Sequence, residues 1–191
     1  MSGSSVQAFV AAFESVAGKG AVVHGIEGAI GQVLAILQSL DVQCIALAKL
    51  PAALNEGIGT YCASRGIRLL QEPYPAAELP LLLDQAQVGI TWADFAIAQS
   101  GTLAEVATDD ALRLVSALPR THICLVDART IVAQFMDAGP ALRRAIAGGG
   151  DGVTVSFISG PSRTGDIEMI LTLGVHGPES AYAIVIEEPG A

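Results

Sequence analysis

The stretch Cys44-Ile-Ala-Leu-Ala48 decides the fold class, because it is short, wholly apolar and bounded on both sides by helical patterns. Residues 27–40 before it carry apolar side chains at helical spacing. After it, Pro51 opens a helix that runs to about residue 64, and Gly66 ends that helix. Residues 67–70 form the next predicted strand. Short buried strands joined by helices indicate a mostly parallel sheet with helices on both faces.

The same alternation continues along the chain. We predict further helices at residues 5–17, 76–87, 130–147 and 162–173, and strands at residues 21–24, 88–91, 94–98, 103–107, 122–126, 153–158 and 181–186. Residues 99–107 are predicted as an antiparallel insertion, and the three glycines 148–150 as a flexible connection. The chain of 191 residues has the length of one domain, so we predict one α/β domain over residues 1–191.

Composition and charge restrict the class of protein. The chain is 51% hydrophobic and 15% charged, which is the opposite of a disordered sequence. Its net charge is −9, and a phosphate backbone repels such a surface. Nucleic-acid binding is therefore not expected.

Cys44, Cys62 and Cys124 are isolated in the sequence, without a C-x-x-C pair. This spacing argues against a disulfide framework and against a zinc or iron–sulfur site formed by cysteines. The N-terminus lacks the basic and apolar regions of a signal peptide, and no run of residues is long and apolar enough to span a membrane. We therefore expect a cytoplasmic protein with no cofactor and no metal ion of its own.

The segment from Val153 to Pro178 carries the strongest functional signal. An apolar strand there leads into a turn of small residues and then into a predicted helix start, where free N–H groups bind anions. The spacing Gly160-x-x-x-x-Gly165 is that of a P-loop, but Asp166 stands where the lysine is required, so a P-loop is excluded. The predicted site for a small carboxylate or phosphate comprises Ser159, Ser162, Arg163, Thr164, Asp166 and Glu168.

Helix capping explains the hydroxyl and acidic residues of this site equally well. Arg163 is different, because a positive charge is unfavourable at a helix N-terminus, and a carboxylate partner of the protein or of a ligand explains it better. His176, in a tight turn after the predicted helix, is the remaining candidate ligand-binding residue of this region.

A second hydroxyl-rich turn follows residues 94–98 and contains Ser100, Gly101 and Thr102. The simpler interpretation is a hairpin turn in which Gly101 adopts a positive φ. The functional interpretation is a second set of donors that face the turn after residue 158. His24 and His122 lie in strand patterns and are interpreted as structural, and no nucleophile–base pair or metal-ligand spacing is visible.

Two segments, Ile158-Ser-Gly-Pro-Ser-Arg-Thr-Gly-Asp-Ile-Glu168 and Gly174-Val-His-Gly-Pro178, resemble the signature of the lactate utilization protein C (LUD domain) family. Ala98-Gln-Ser-Gly-Thr-Leu103 resembles its other signature, and Ser116–Pro119 with Thr121–Ile123 match the run that follows. The resemblance covers about residues 88–186. One departure is Gln99, where the family usually has glutamate, and another is Gly165 in place of alanine.

The resemblance implies a fold like that of the ribose-5-phosphate isomerase and coenzyme A transferase group. It also implies oxidation of L-lactate to pyruvate together with iron–sulfur partner proteins, this chain being the cofactor-free subunit. Two alternatives stay open. One is a stand-alone sugar-phosphate or acyl-transfer enzyme, with Asp94, Asp166 or Glu168 as catalytic carboxylates. The other is a non-catalytic assembly protein.

Overall fold

The architecture was analysed in a computed structural model that describes residues 2–147, 152–165, 171–174 and 176–188. The predicted flexible connection at residues 148–150 lies outside the described residues, as do Asp166 and Glu168. In chain order the elements are α1 (Ser2–Ser15), β1 (Lys19–His24), α2 (Gly25–Leu40), β2 (Cys44–Ala48), α3 (Ala52–Arg65), β3 (Arg68–Leu70), α4 (Leu79–Leu83), β4 (Val88–Trp92), β5 (Phe95–Ile97), β6 (Thr102–Ala107), α5 (Asp110–Ala117), β7 (Thr121–Asp127), β8 (Ile131–Val132), α6 (Ala138–Ile146), β9 (Thr154–Ile158), β10 (Arg163–Gly165), β11 (Leu171–Leu173) and β12 (Ser180–Glu187).

A six-stranded parallel sheet in the order β1-β12-β7-β4-β2-β3 forms the centre of the fold. Strand β2 has the predicted bounds, and all its residues are buried. Alternate side chains point to opposite faces, so Ile45 and Leu47 pack against α2 and α3, whereas Cys44, Ala46 and Ala48 pack against α4 and α5. The predicted α/β class with a mostly parallel sheet is confirmed.

A second sheet has four strands in the order β8-β5-β6-β9. Together with α1 it packs on the face of the parallel sheet that also carries α4 and α5. Strands β5 and β6 form the predicted antiparallel hairpin, and β6 also pairs antiparallel with β9. Small residues such as Ala96 and Ala183 lie at this contact, which lets the two sheets approach closely. The turn after residue 158 therefore follows β9, an edge strand of the antiparallel sheet, and does not follow a strand of the parallel sheet.

The helix predicted at residues 162–173 is wrong. Strand β10 pairs antiparallel with β11, with Arg163 opposite Leu173 and Thr164 opposite Thr172. Pairing of the two strands satisfies backbone groups that a helix would otherwise satisfy internally. Thr164 and Thr172, which face each other in this pair, are β-branched residues and favour extended structure.

Two other helix predictions need correction, and one helix was not predicted. The helix predicted at residues 130–147 begins only at Ala138, because Ile131–Val132 pairs with β5 as strand β8. The helix predicted at residues 76–87 is limited to α4. Helix α5 was not predicted, although Asp109 caps it by accepting a hydrogen bond of 2.9 Å from the Ala111 backbone N–H. Among the described residues no helix has the length and apolar character needed to cross a membrane.

Gly101 holds the hairpin turn against α1. It has the predicted positive φ, +59°, and a Cβ at this position would overlap the backbone of Phe13. The turn therefore needs glycine for its conformation and for the close approach of the helix.

We expect Gly101→Ala to destabilise the protein by about 2–4 kcal/mol, because left-handed strain and overlap with α1 add together. Gly31→Ala is the matched control, since Gly31 lies in α2 with nothing near its Cβ position and should gain about 0.5–1 kcal/mol. The measurement is chemical unfolding of both variants. Equal stability of Gly101→Ala and wild type would show that the turn does not depend on this contact.

Candidate functional site

A cavity of about 320 Å³ lies where the two family-like segments meet the end of α5. The backbone N–H of Ser162 donates to the Pro178 carbonyl at 2.9 Å, and the Gly174 N–H donates to the Ser162 carbonyl at 2.9 Å. These bonds hold the turn after β9 against the turn that contains His176. The lining residues are Arg113, Ser116, Ala117, His122, Ser156, Phe157, Ile158, Ser159, Gly160, Pro161, Ser162, His176, Gly177, Pro178 and Ala181.

The structure brings several predicted site residues together at this cavity. Ser159, Ser162 and His176 line it directly. The second hydroxyl-rich turn lies behind Ser159, because Thr102 Oγ1 is 2.7 Å from Ser159 Oγ and 2.6 Å from Ser100 Oγ. The turn at Gly101 is thus both the hairpin turn and a support for the cavity wall, and its hydroxyl groups face the turn after β9.

Arg163 lies apart from this cavity. Its guanidinium donates to the carbonyl oxygen of Val16, just beyond the C-terminus of α1. Helix C-termini present unpaired carbonyl groups and a partial negative charge, so a cation is favourable there. The expected carboxylate partner of Arg163 is therefore replaced by a main-chain carbonyl. Thr164 is likewise not among the residues that line the cavity.

The floor of the cavity contains a buried polar cluster that sequence reasoning missed. His122 lines the cavity but is only 1% exposed, and Glu105 behind it is also 1% exposed. His122 Nε2 is 2.7 Å from Thr91 Oγ1 and 3.5 Å from Glu105 Oε1, and the Thr91 hydroxyl donates to Glu105 Oε1. The interpretation of His122 as an ordinary strand residue is therefore incomplete, because its ring connects the cavity to a buried carboxylate.

Strand geometry explains why these three side chains meet. Thr91 lies on β4 and His122 on β7, next to each other in the parallel sheet, and both face the second sheet. Glu105 comes from β6 of that second sheet, opposite Ser156 of β9. One signal in the sequence went unused: Glu105 is the lone charged residue of the otherwise apolar run Leu103-Ala-Glu-Val-Ala107.

The cluster keeps Glu105 ionised. Burial by itself raises the pKa of Glu105, but the hydrogen bond and charge of His122 and the hydrogen bond from Thr91 bring the pKa below the ordinary value of 4.5. Glu105 Oε2 has no hydrogen-bond partner among the described residues. A negative charge therefore lies behind His122 at neutral pH.

Glu105, His122 and Cys124 have ligand atoms within 4.8 Å of one another, a spacing that a metal ion could use. Two observations favour a hydrogen-bonded network instead. The Thr91 hydroxyl lies between Glu105 and His122 and bonds to both. Burial and the neighbouring Glu105 charge raise the pKa of Cys124 well above its ordinary value, so the thiol keeps its proton.

Asp94 is engaged elsewhere. Its carboxylate oxygens lie 2.6 and 2.8 Å from Lys49 Nζ, and one of them accepts the Val106 N–H at 2.8 Å. A carboxylate paired in this way stabilises the hairpin of β5 and β6 and does not line the cavity beside His122.

A larger cavity of about 670 Å³ is lined by Glu72, Asp109 and Asp110 without a basic side chain, so it is unsuited to an anion.

Comparison with known proteins identifies the family. The model of the LUD domain matches residues 6–186, which is nearly the whole chain and extends beyond the residues that carried the resemblance. The chain belongs to the LUD domain family.

Curated relatives of this LUD domain protein match only over part of their length. It is 39% identical over 107 residues to lactate utilization protein C of Bacillus licheniformis, which covers 55% of this chain and 44% of that protein. It is 41% identical over 109 residues to lactate utilization protein C of Bacillus subtilis strain 168, with the same coverage of 55% and 44%. The chain thus spans about half the length of the curated relatives it matches.

A solved structure has the same fold as this LUD domain protein. A DUF162 family protein from Deinococcus radiodurans superposes with a TM-score of 0.66 at 21% identity, covering 97% of this chain and 98% of that one. The family departure at Gln99 lies outside the cavity, where the residue is exposed and its backbone N–H donates to the Ala133 carbonyl at 3.0 Å.

Because the pKa of Glu105 is lowered in the folded protein, the free energy of unfolding should depend on this residue and on pH. A carboxyl group whose pKa is lower in the folded state contributes stability above about pH 4.5, and this contribution is lost as the pH falls through the folded-state pKa. We expect Glu105→Gln to be less stable than wild type by about 2 kcal/mol at pH 7 and the difference to narrow below pH 4.5.

Chemical unfolding of both proteins between pH 3 and 7 measures this difference. Glu14→Gln is the control, because Glu14 is an exposed residue of α1 and its replacement should leave the pH profile unchanged. A constant difference between Glu105→Gln and wild type across this range would contradict the assigned ionisation of Glu105.

Proposed function

We propose that this chain is the cofactor-free subunit of an iron–sulfur system that oxidises L-lactate to pyruvate, and that the cavity beside His122 binds the carboxylate ligand. The observation that carries the proposal is the lining of the cavity. Two basic side chains, Arg113 and His176, lie beside serine hydroxyl groups, and the buried His122 forms the floor. The names of the curated relatives, lactate utilization protein C, support lactate as the ligand.

The dimensions and chemistry of the cavity fit a small hydroxy acid. A volume of about 320 Å³ is at the lower end of the range of ligand pockets. Arg113 can hold a carboxylate through two parallel N–H donors, although it also contacts Asp110 at 2.7 Å. Ser156, Ser159 and Ser162 offer donors to the remaining oxygens, and the side chains of Phe157 and Ile158 offer apolar contact for a methyl group.

The cysteines support the assignment of the clusters and electrons to partner subunits. Cys44, Cys62 and Cys124 are buried, and burial raises the pKa of each thiol. A thiol that keeps its proton is a poor cluster ligand. The proposal includes a cytoplasmic location, since the partners would need a reducing compartment.

Thermal unfolding with L-lactate, D-lactate, pyruvate, phosphate and coenzyme A tests the binding site. A ligand present at about 100 times its Kd adds about 2.7 kcal/mol, which moves the Tm of a chain of this size by about 5–10 °C. We expect such a shift with L-lactate or pyruvate, and we expect Arg113→Gln to abolish it.

Two matched arginine variants control this experiment. Arg163→Gln and Arg143→Gln remove a positive charge outside the cavity, so both should keep the full ligand shift. A shift with phosphate or coenzyme A alone would favour the sugar-phosphate or acyl-transfer alternative. No shift with any of the five ligands, or an equal loss in Arg163→Gln and Arg113→Gln, would contradict the proposed site.

A further inference from the structure

The hydrogen bonds around His122 determine which ring nitrogen carries the proton. Ionised Glu105 can only accept hydrogen bonds, and the single proton of the Thr91 hydroxyl is donated to Glu105 Oε1. Thr91 Oγ1, 2.7 Å from His122 Nε2, must then accept from that nitrogen. In the neutral ring Nε2 therefore carries the hydrogen, and Nδ1 has the free lone pair.

The remaining nitrogen is available to a ligand. His122 Nδ1 has no hydrogen-bond partner among the described residues, and the ring lines the cavity. Arg113, His176 and the serine hydroxyls form the other walls of the same cavity. A small acid whose carboxylate is held by Arg113 can therefore direct its neighbouring oxygen toward His122.

We propose that His122 distinguishes the two oxidation states of the ligand by its own protonation: neutral His122 binds a 2-hydroxy acid, and protonated His122 binds a 2-oxo acid. A 2-hydroxyl group can donate its hydrogen to the lone pair of Nδ1. A keto oxygen can only accept, so it needs a hydrogen on Nδ1. This inference rests on the proposed function, because it assumes that the cavity binds such acids.

The surroundings of His122 can accommodate both states. Glu105 Oε1 lies 3.5 Å from Nε2, so the carboxylate faces the ring nitrogen that carries a hydrogen in both states. The other titratable groups around the ring are Cys124 on β7, Arg113 on α5, and His176 in the facing turn, with Asp110 paired to Arg113. Among the described residues of β4, β9 and β12, the neighbours of the cavity floor are uncharged: Thr91 bonds to His122, and Ser156 and Ala181 line the same cavity. Thr91 and Glu105 are thus positioning residues for His122.

Opposite pH dependences of the two affinities follow. A 2-oxo acid binds with uptake of one proton when His122 starts neutral, so its affinity falls by up to about tenfold per pH unit as the pH rises. A 2-hydroxy acid requires neutral His122, so its affinity falls as the pH is lowered. Both affinities are to be measured across a range of about pH 5–8.

Isothermal titration calorimetry of the full chain with pyruvate and with L-lactate tests this inference. We expect about one proton taken up per pyruvate and none per lactate at the alkaline end of the range, from the heats in two buffers of different ionisation enthalpy. His122→Gln should remove the opposite pH dependences. His176→Gln removes a wall residue of the cavity, so it should weaken binding of both acids and still leave their pH dependences opposite. The surface control His24→Gln should change neither the affinities nor their pH dependences. Thr91→Val, which breaks the link to Glu105, should weaken the discrimination at least threefold.

Nitrogen-15 NMR provides a readout that does not depend on ligand binding. The chain has three histidines, so assignment needs only the same three variants. We expect neutral His122 with its hydrogen on Nε2, and protonation of Nδ1 when pyruvate is added. A hydrogen on Nδ1 in the free neutral ring would overturn the proposal.

The outcomes separate the two proposals. If neither acid binds, the proposed function fails, and NMR still decides the tautomer of His122. If both acids bind with the same pH dependence, or if the dependence persists in His122→Gln and disappears in His176→Gln, the cavity is a carboxylate site and the role given to His122 is wrong.

Discussion

The burial of one ionised carboxylate constrains the interior of this protein. Glu105 lies between the parallel sheet and the antiparallel sheet, at 1% exposure, where an unpaired charge would be very unfavourable. Thr91 and His122 approach it from two neighbouring strands and stabilise the charge, Thr91 by a hydrogen bond and His122 by the proximity of its ring nitrogen. The positions of β4, β6 and β7 are thereby linked by polar contacts as well as by apolar packing.

The same arrangement gives the cavity its chemical character. His122 directs one ring nitrogen toward Thr91 and Glu105, and its ring forms the cavity floor. The charge of Glu105 therefore acts, through His122, on any ligand in the cavity. The walls come from elements distant in sequence, the end of α5, the turn after β9 and the turn at His176. Backbone hydrogen bonds of Ser162 join the last two turns, so main-chain contacts fix the positions of these two walls relative to each other.

The partner of Arg163 differs from the predicted one. A carboxylate was expected because a positive charge is unfavourable at a helix N-terminus. In the structure residues 163–165 form a strand, and the guanidinium donates to a main-chain carbonyl just beyond α1. Arg113, in a helix that was not predicted, takes the position beside the cavity that Arg163 was expected to have.

The sequence by itself determined the alternation of buried strands and helices, the glycine turn at Gly101 and the family, because these are encoded in local spacing and in contiguous motifs. Short-range pattern also singled out Ser159, Ser162 and His176, which the structure places around one cavity. Only the tertiary structure decided that residues 171–173 pair as a strand, because pairing with residues 163–165 satisfies their backbone groups through a contact that local propensity does not specify. The meeting of Thr91, Glu105 and His122 was likewise decided by the tertiary structure alone. These residues come from three strands of two different sheets, and the packing of one sheet on the other is not encoded in any local pattern of the sequence.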